Sequence, residues 1–138
     1  MHMQGAPNTM QERPEYDCVL REVRMFLADR VQAVRAAGIA DQRIVLDPGY
    51  GFGKTHDHNW ALLRGQADLL VLGFPLLVGW SRKGTLGALT GRSISQRLPA
   101  SVGAALAAVT RGARIVRVHD VAATFDALKV WQAAGLVS

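Results

Sequence analysis

Leu76-Leu77-Val78-Gly79-Trp80-Ser81-Arg82-Lys83-Gly84 decides the fold. It opens as a short apolar run of strand type and ends in a polar cluster, with a helical pattern behind it. The same arrangement recurs at residues 43–47, ahead of Pro48-Gly49-Tyr50-Gly51-Phe52-Gly53-Lys54, and at residues 114–118, ahead of His119-Asp120. Strand patterns alternating with helical patterns read as parallel βα units. Such units present their chemistry at the carboxyl ends of the strands. Asp47, Ser81-Arg82-Lys83 and Arg117-Val118-His119-Asp120 are therefore expected on one rim. A carboxylate, a lysine and an arginine–histidine pair there describe a pocket for a polar, anionic small molecule.

Working outward, residues 5–15 are polar, carry two prolines and read as a loop. A helix is predicted over about 16–37, because Val19, Leu20, Val23, Phe26, Leu27, Val31 and Val34 recur at helical spacing before Gly38. Further helices are predicted over about 57–72, closed by Gly73, over about 99–111, with Pro99 in the first turn, and over about 122–134. A short helical turn is expected near 85–89 and a polar loop over 91–98. This is a helix followed by three βα units, all in one domain spanning residues 1–138. A (β/α)₈ barrel needs about 250 residues, so the chain reads as the later part of a larger barrel. Met1-His2-Met3 stands where the end of a preceding strand would, whereas Gly135-Leu136-Val137-Ser138 reads as a natural finish.

Composition narrows the function classes. A hydrophobic fraction of 49% with 20% charged residues is ordinary for a globular domain. No apolar stretch approaches the roughly 18–20 residues needed to cross a bilayer, and Gly73 and Pro75 interrupt the longest. The first residues have neither a basic nor an apolar region of the kind a signal peptide needs. The single cysteine, Cys18, excludes an internal disulfide and fits a reducing cytoplasm; beside Val19 and Leu20 it reads as a buried or half-buried structural thiol. The net charge of +5 suits an anionic ligand. Its basic residues are dispersed and not interleaved with aromatics, so nucleic-acid binding is not expected.

The motifs each have a plain alternative. The glycines at 49, 51 and 53 invite comparison with a phosphate-binding loop, but the spacing fails: five positions before Gly53 stands Pro48. What remains is either a tight strand-to-helix turn or a loop whose backbone can approach a flat ligand, with Phe52 against a ring. Asp47 can accept two parallel N–H bonds from a guanidine-like edge, or merely cap a turn. Lys83 can bond a ring carbonyl, or be a solvated loop lysine. Arg117 and His119 flank Val118 and should point the same way. Arginine can stack on a ring and fork onto phosphate, and the next helix offers free N–H groups for an anion. The alternative is a charge pair satisfied locally by Asp120. His2, His56 and His58 lack metal-ligand spacing and read as ordinary polar residues.

The strings Met-His-Met-Gln-Gly (from Met1), Leu-Asp-Pro-Gly-Tyr-Gly-Phe-Gly-Lys (from Leu46), Leu-Leu-Val-Gly-Trp-Ser-Arg-Lys-Gly (from Leu76) and Ile-Val-Arg-Val-His-Asp-Val (from Ile115) closely resemble the carboxyl-half motifs of dihydropteroate synthases. The resemblance implies a partial (β/α)₈ TIM barrel, from the end of strand five through helix eight. It implies a transferase of folate biosynthesis that condenses 6-hydroxymethyl-7,8-dihydropterin pyrophosphate with 4-aminobenzoate, giving 7,8-dihydropteroate and pyrophosphate. Asp47 would grip the pterin's amino-pyrimidinone edge, Lys83 its carbonyl side. Arg117 would stack on the pterin and, with His119, hold the pyrophosphate. Met1 and Phe52 would line the pterin slot, Gly79 would belong to the substrate-binding set, and Ser81 would lie near the 4-aminobenzoate. The family also implies Mg²⁺, held by an asparagine outside this chain, a cytoplasmic homodimer and a sulfonamide target. The apolar residues Val102, Leu106, Val109, Phe125, Leu128, Val130 and Trp131 are expected to contribute the dimer face. The pterin-binding domain of corrinoid methyltransferases is the competing family, disfavoured by the Ser-Arg-Lys and Arg-Val-His-Asp strings; a non-catalytic half-barrel is the alternative of a different class.

Overall fold

The computed structural model describes residues 1–136, and the expectation of a natural finish falls partly on Val137 and Ser138, outside them. Helix α1, Val19–Ala36, is built on the stripe Val19, Val23, Leu27 and Val31, all buried. Such four-residue spacing keeps one face toward the core. Cys18 is a correction: it sits ahead of the first turn in extended conformation, off that stripe, and is exposed.

The strand expected at 43–47 is also corrected. Residues Asp41–Arg43 form a 3₁₀ turn, and only Leu46 bridges a neighbouring strand, at Leu76. Its amide donates to Pro75 O (2.9 Å) and its carbonyl accepts from Leu77 N (2.8 Å). On the other side, His2 N donates to Asp47 O at 2.9 Å. Without a longer neighbour, the run pairs at one residue.

Helix α2, His56–Arg64, starts in a capping box formed by Thr55 and His58. It stops sooner than the sequence predicts, and residues Gln66–Leu72 continue as a 3₁₀ helix. Gly65 closes α2 against Leu20 of α1, where an added side chain would collide. The tighter winding also turns Gln66 inward, where it accepts from Tyr50 Oη (3.0 Å) and donates to Ala108 O (2.9 Å) and Arg111 O (3.1 Å). Strand β1, Leu76–Val78, then leads to α3, Gly84–Thr90, α4, Leu98–Thr110, strand β2, Ala113–Val116, and α5, Val121–Ala133.

Strands β1 and β2 pair in parallel, Leu77 opposite Ile115 and Val78 opposite Val116. The architecture is α/β, with helices on one face of a short parallel sheet. Ile44, Leu46, Leu76, Val78 and Ala113 are buried beneath those helices. On the opposite face Val45 and Ile115 are 43% and 41% exposed. A parallel sheet is ordinarily covered on both faces, so this open apolar face is a distinctive feature. No helix is long and apolar enough to cross a membrane among the described residues.

Candidate functional site: a cationic cavity beside a glycine-rich loop

The loop after Leu46 is held by close backbone packing. Gly49 and Gly53 have φ of +72° and +61°, and a side chain on either would strike the chain at His2 or Gln4. Only glycine fits both the conformation and the space. Tyr16 Oη donates to Gly53 O (2.7 Å), Gln11 Nε2 to Gly51 O (2.6 Å), and Gly51 N to Asn59 Oδ1 (2.8 Å).

Lys54 ties this loop together, and sequence reasoning missed it. Its side chain is buried, with Nζ 2.9 Å from Gly49 O, 3.1 Å from Phe52 O and 2.9 Å from His2 Nδ1. An ammonium has three N–H donors, and here each finds an acceptor when His2 is neutral. Burial lowers the lysine to about 7, with Asp47 opposing and Lys83 adding to the shift. Burial, helped by Lys54, lowers His2 to about 4. His2 is thus a correction too: it is a buried part of the loop's anchor, packed edge-on against Phe26 at 4.9 Å. The only signal in the sequence was a lysine placed within a glycine–aromatic string. His56 and His58 do behave as ordinary polar residues, on Thr85 Oγ1 and in the α2 cap.

Beyond β1 and β2, two loops enclose a cavity of about 400 Å³ lined by Gly79, Ser81, Lys83, Arg117, Val118 and His119. Arg117 extends the sheet through its amide, which donates to Val78 O at 2.8 Å. Its guanidinium lies across Gly79, where an added Cβ would sit 3.5 Å from Nε. Ser81 Oγ accepts from His119 N (3.1 Å) and contacts His119 Nδ1 at 2.9 Å. The imidazole Nε2 is the ring nitrogen left for a ligand. Lys83 Nζ lies 4.4 Å from the centroid of Phe52. Burial first, and then Arg117, push the Lys83 ammonium below its ordinary pKa, while Asp47 opposes. Beneath these loops, Trp80 is buried against Tyr50 (4.5 Å) and Trp60 (5.2 Å).

The structure therefore brings Gly79, Ser81, Lys83, Arg117 and His119 around one space, with Phe52 against Lys83. Asp47 stands behind the glycine-rich loop, Oδ1 accepting from Gly49 N at 2.7 Å and Oδ2 receiving no hydrogen bond among the described residues. Met1 is 55% exposed and lines none of the cavities described. Asp120 does not pair with Arg117: both its oxygens take Arg82 instead. Val121, Thr124 and Phe125 of α5 line a neighbouring apolar groove of about 340 Å³, which shares Arg117 and Val118 with the cationic cavity. Among the described residues no group of three His, Cys, Asp or Glu could hold a metal ion. Two cations and an imidazole around a space with no carboxylate in its lining can bind a multiply charged anion and stabilise its departure.

Comparison with known proteins agrees with this chemistry. The profile of the family described as "Pterin binding enzyme" matches residues 1–119. The chain is 57% identical to a dihydropteroate synthase of Neisseria meningitidis serogroup B, over 99% of this chain and 49% of that protein. It superposes on a dihydropteroate synthase of Stenotrophomonas maltophilia, solved with imidazole in the active site, with a TM-score of 0.95 at 56% identity, covering 99% of this chain and 52% of the other. A Xanthomonas albilineans dihydropteroate synthase in complex with 7,8-dihydropteroate superposes with a TM-score of 0.87 at 51% identity, covering 91% and 48%. The chain spans about half the length of the curated relatives it matches.

Proposed function

We propose that this chain, which belongs to the family of pterin-binding enzymes, supplies the carboxyl-terminal half of a dihydropteroate synthase. It would run from the end of strand five through helix eight of a (β/α)₈ barrel. The apolar sheet face carrying Val45 and Ile115 supports this, because alternate strand residues of such a barrel fill its interior. The observation that carries the functional reading is the cavity bounded by Ser81, Lys83, Arg117 and His119.

The reaction breaks the bond between the pterin methylene carbon and the pyrophosphate oxygen, whose electron pair leaves with the anion. The aniline nitrogen of 4-aminobenzoate forms the new C–N bond to the delocalised cation and sheds a proton. No protein nucleophile is required; positioning and stabilisation of the departing charge do the work. In this proposal Arg117, whose guanidinium lies against Gly79, stacks on the pterin and, with His119, holds the pyrophosphate. Lys83 holds the pterin carbonyl side and adds its charge. Asp47 receives the amino-pyrimidinone edge, Phe52 packs against the ring, and Ser81 stands near the 4-aminobenzoate. Met1 meets the pterin once the rest of the barrel covers it. We assign magnesium to the whole enzyme, on residues beyond this chain, and no step here is routed through it. A cytoplasmic homodimer, joined partly through Phe125 and Val130 of α5 and sensitive to sulfonamides, completes the proposal; both residues are exposed at 55% and 69%.

The 138-residue chain alone is expected to form no dihydropteroate, and to gain activity when co-expressed with the amino-terminal half of the Neisseria relative. Turnover by the chain alone, at the rate of an intact synthase, would overturn the half-barrel reading. In the complemented enzyme Asp47→Asn should weaken pterin binding by roughly 2–5 kcal/mol and leave 4-aminobenzoate nearly untouched. An unchanged pterin affinity by calorimetry removes Asp47 from the pocket.

A further inference from the structure

The groups around the cavity come from two separate loops, and with no anion between them Lys83 and Arg117 repel. Ser81 and His119 join the two loops within the lining, and a second tie lies outside it. Arg82 forks onto Asp120, Nε donating to Oδ2 at 3.2 Å and Nη2 to Oδ1 at 2.8 Å. This links the first loop to the second one residue away from the Ser81–His119 contact.

Arg82 is the sole non-glycine residue with positive φ among those described, at +59°. An L-residue adopts that conformation at a steric cost, so other contacts must hold it. Its amide donates to Ser101 Oγ (2.9 Å) and its carbonyl accepts from Arg97 Nη1 (3.1 Å). The guanidinium of Arg97 lies where a side chain at Gly87 would collide with it. The left-handed turn sends Ser81 and Lys83 to the cavity and the Arg82 side chain away from it, to Asp120. Strain of this kind, held in place by its surroundings next to a ligand site, marks a functional constraint.

We propose that the Arg82–Asp120 pair is a positioning device: it holds the Ser81–Lys83 loop and the Arg117–His119 loop, against their mutual repulsion, at the separation that receives a phosphate-class polyanion. The inference rests on the proposed function, since it takes the cavity as the pyrophosphate end of the site. Arg82 and Asp120 touch no substrate; they act through Lys83, Arg117 and His119. Preorganised charges spend no binding energy on gathering themselves when the ligand arrives.

The test is calorimetric titration of inorganic pyrophosphate into the complemented enzyme, this chain co-expressed with the amino-terminal half. Arg117→Met should abolish binding. Asp120→Asn should weaken it about tenfold, and Asp120→Glu should recover part of that loss. Arg82→Lys should weaken binding too, and the double variant Arg82→Lys/Asp120→Asn should be no weaker than Asp120→Asn, because both break one device. Additive losses would mean independent lesions and would overturn the proposal, as would wild-type affinity in Asp120→Asn. Should Asp120→Asn unfold, Arg82→Gly decides: it keeps the left-handed turn without strain and removes the guanidinium. Lost affinity in that variant supports the device and retained affinity overturns it. A complemented wild-type enzyme without affinity for pyrophosphate overturns the proposed function, and this inference with it; one that binds, beside an Asp120→Asn that binds equally, overturns this inference alone.

Discussion

The glycine-rich loop and the paired loops of the cationic cavity solve the same problem in opposite ways. Residues 48–54 are fixed by backbone packed on backbone, with a buried lysine saturated by two carbonyls and a histidine. The Ser81–Lys83 and Arg117–Asp120 loops are joined by side chains, among them the Ser81–His119 contact and an ion pair whose members keep 40% and 23% of their side-chain surface exposed. In the proposed function the first arrangement presents shape to a flat ring. The second would present charge that must stay accessible to an anion, which suits supports that are partly wet. Stability should therefore reside in the first region and ligand affinity in the second.

The strongest way to break that contrast is Gly49→Ala. The methyl group would meet His2 O, and alanine is disfavoured at φ +72°. We expect about 3–4 kcal/mol of destabilisation in urea unfolding. A loss below about 1 kcal/mol would show that the loop shifts freely and is not the rigid partner.

Next in size is the lysine anchor. Lys54→Met leaves the Gly49 and Phe52 carbonyls without their donor, at a cost of roughly 2–3 kcal/mol. Acid should act on the same anchor. The folded His2 titrates at about 4 and its unfolded counterpart near 6.5, so between these values the unfolded chain binds more protons. Stability is then fully present above pH 6.5 and falls toward pH 4, by roughly 2 kcal/mol after discount for the ring's partial solvent screening. His2→Asn should flatten that slope. Unfolding curves with the same slope in both proteins would take His2 out of the anchor. For Lys54 the sign is the same in a higher window: stability rises with pH from about 7 toward 10.5, because the unfolded lysine still holds its proton there.

Smallest should be the effect of Asp120→Asn on stability. The pair is part-exposed, and such pairs contribute little to folding. Its thermal midpoint should move less than that of Lys54→Met. A larger shift would mean that the charged loops, too, are part of the core.

Much of this was legible in the chain before any coordinates. The helices α1, α4 and α5 and the strands β1 and β2 announce themselves through periodicity, Pro99 and terminal glycines, since those signals act within a turn or two of the chain. The grouping of Ser81, Lys83, Arg117 and His119 followed from a topological rule, that parallel βα units gather their chemistry at one end. The packing of Gly65 against Leu20 was not legible, because the two lie forty-five residues apart in sequence. Nor was the single-residue pairing of Leu46, which depends on which neighbours stand beside it.

The sequence by itself determined the residue types at the strand ends and the alternation that brings them to one rim, because both are properties of consecutive residues. Only the tertiary structure decided which of those residues line the cavity and which make contacts outside it. Lys54, Arg82 and Asp120 are ordinary charged residues in the chain. Burial against His2 makes the first an anchor, and a contact across 38 residues makes the other two a tie. The physical reason is that a charge takes its role from its solvent access and its partners, and both are set by segments far apart in sequence.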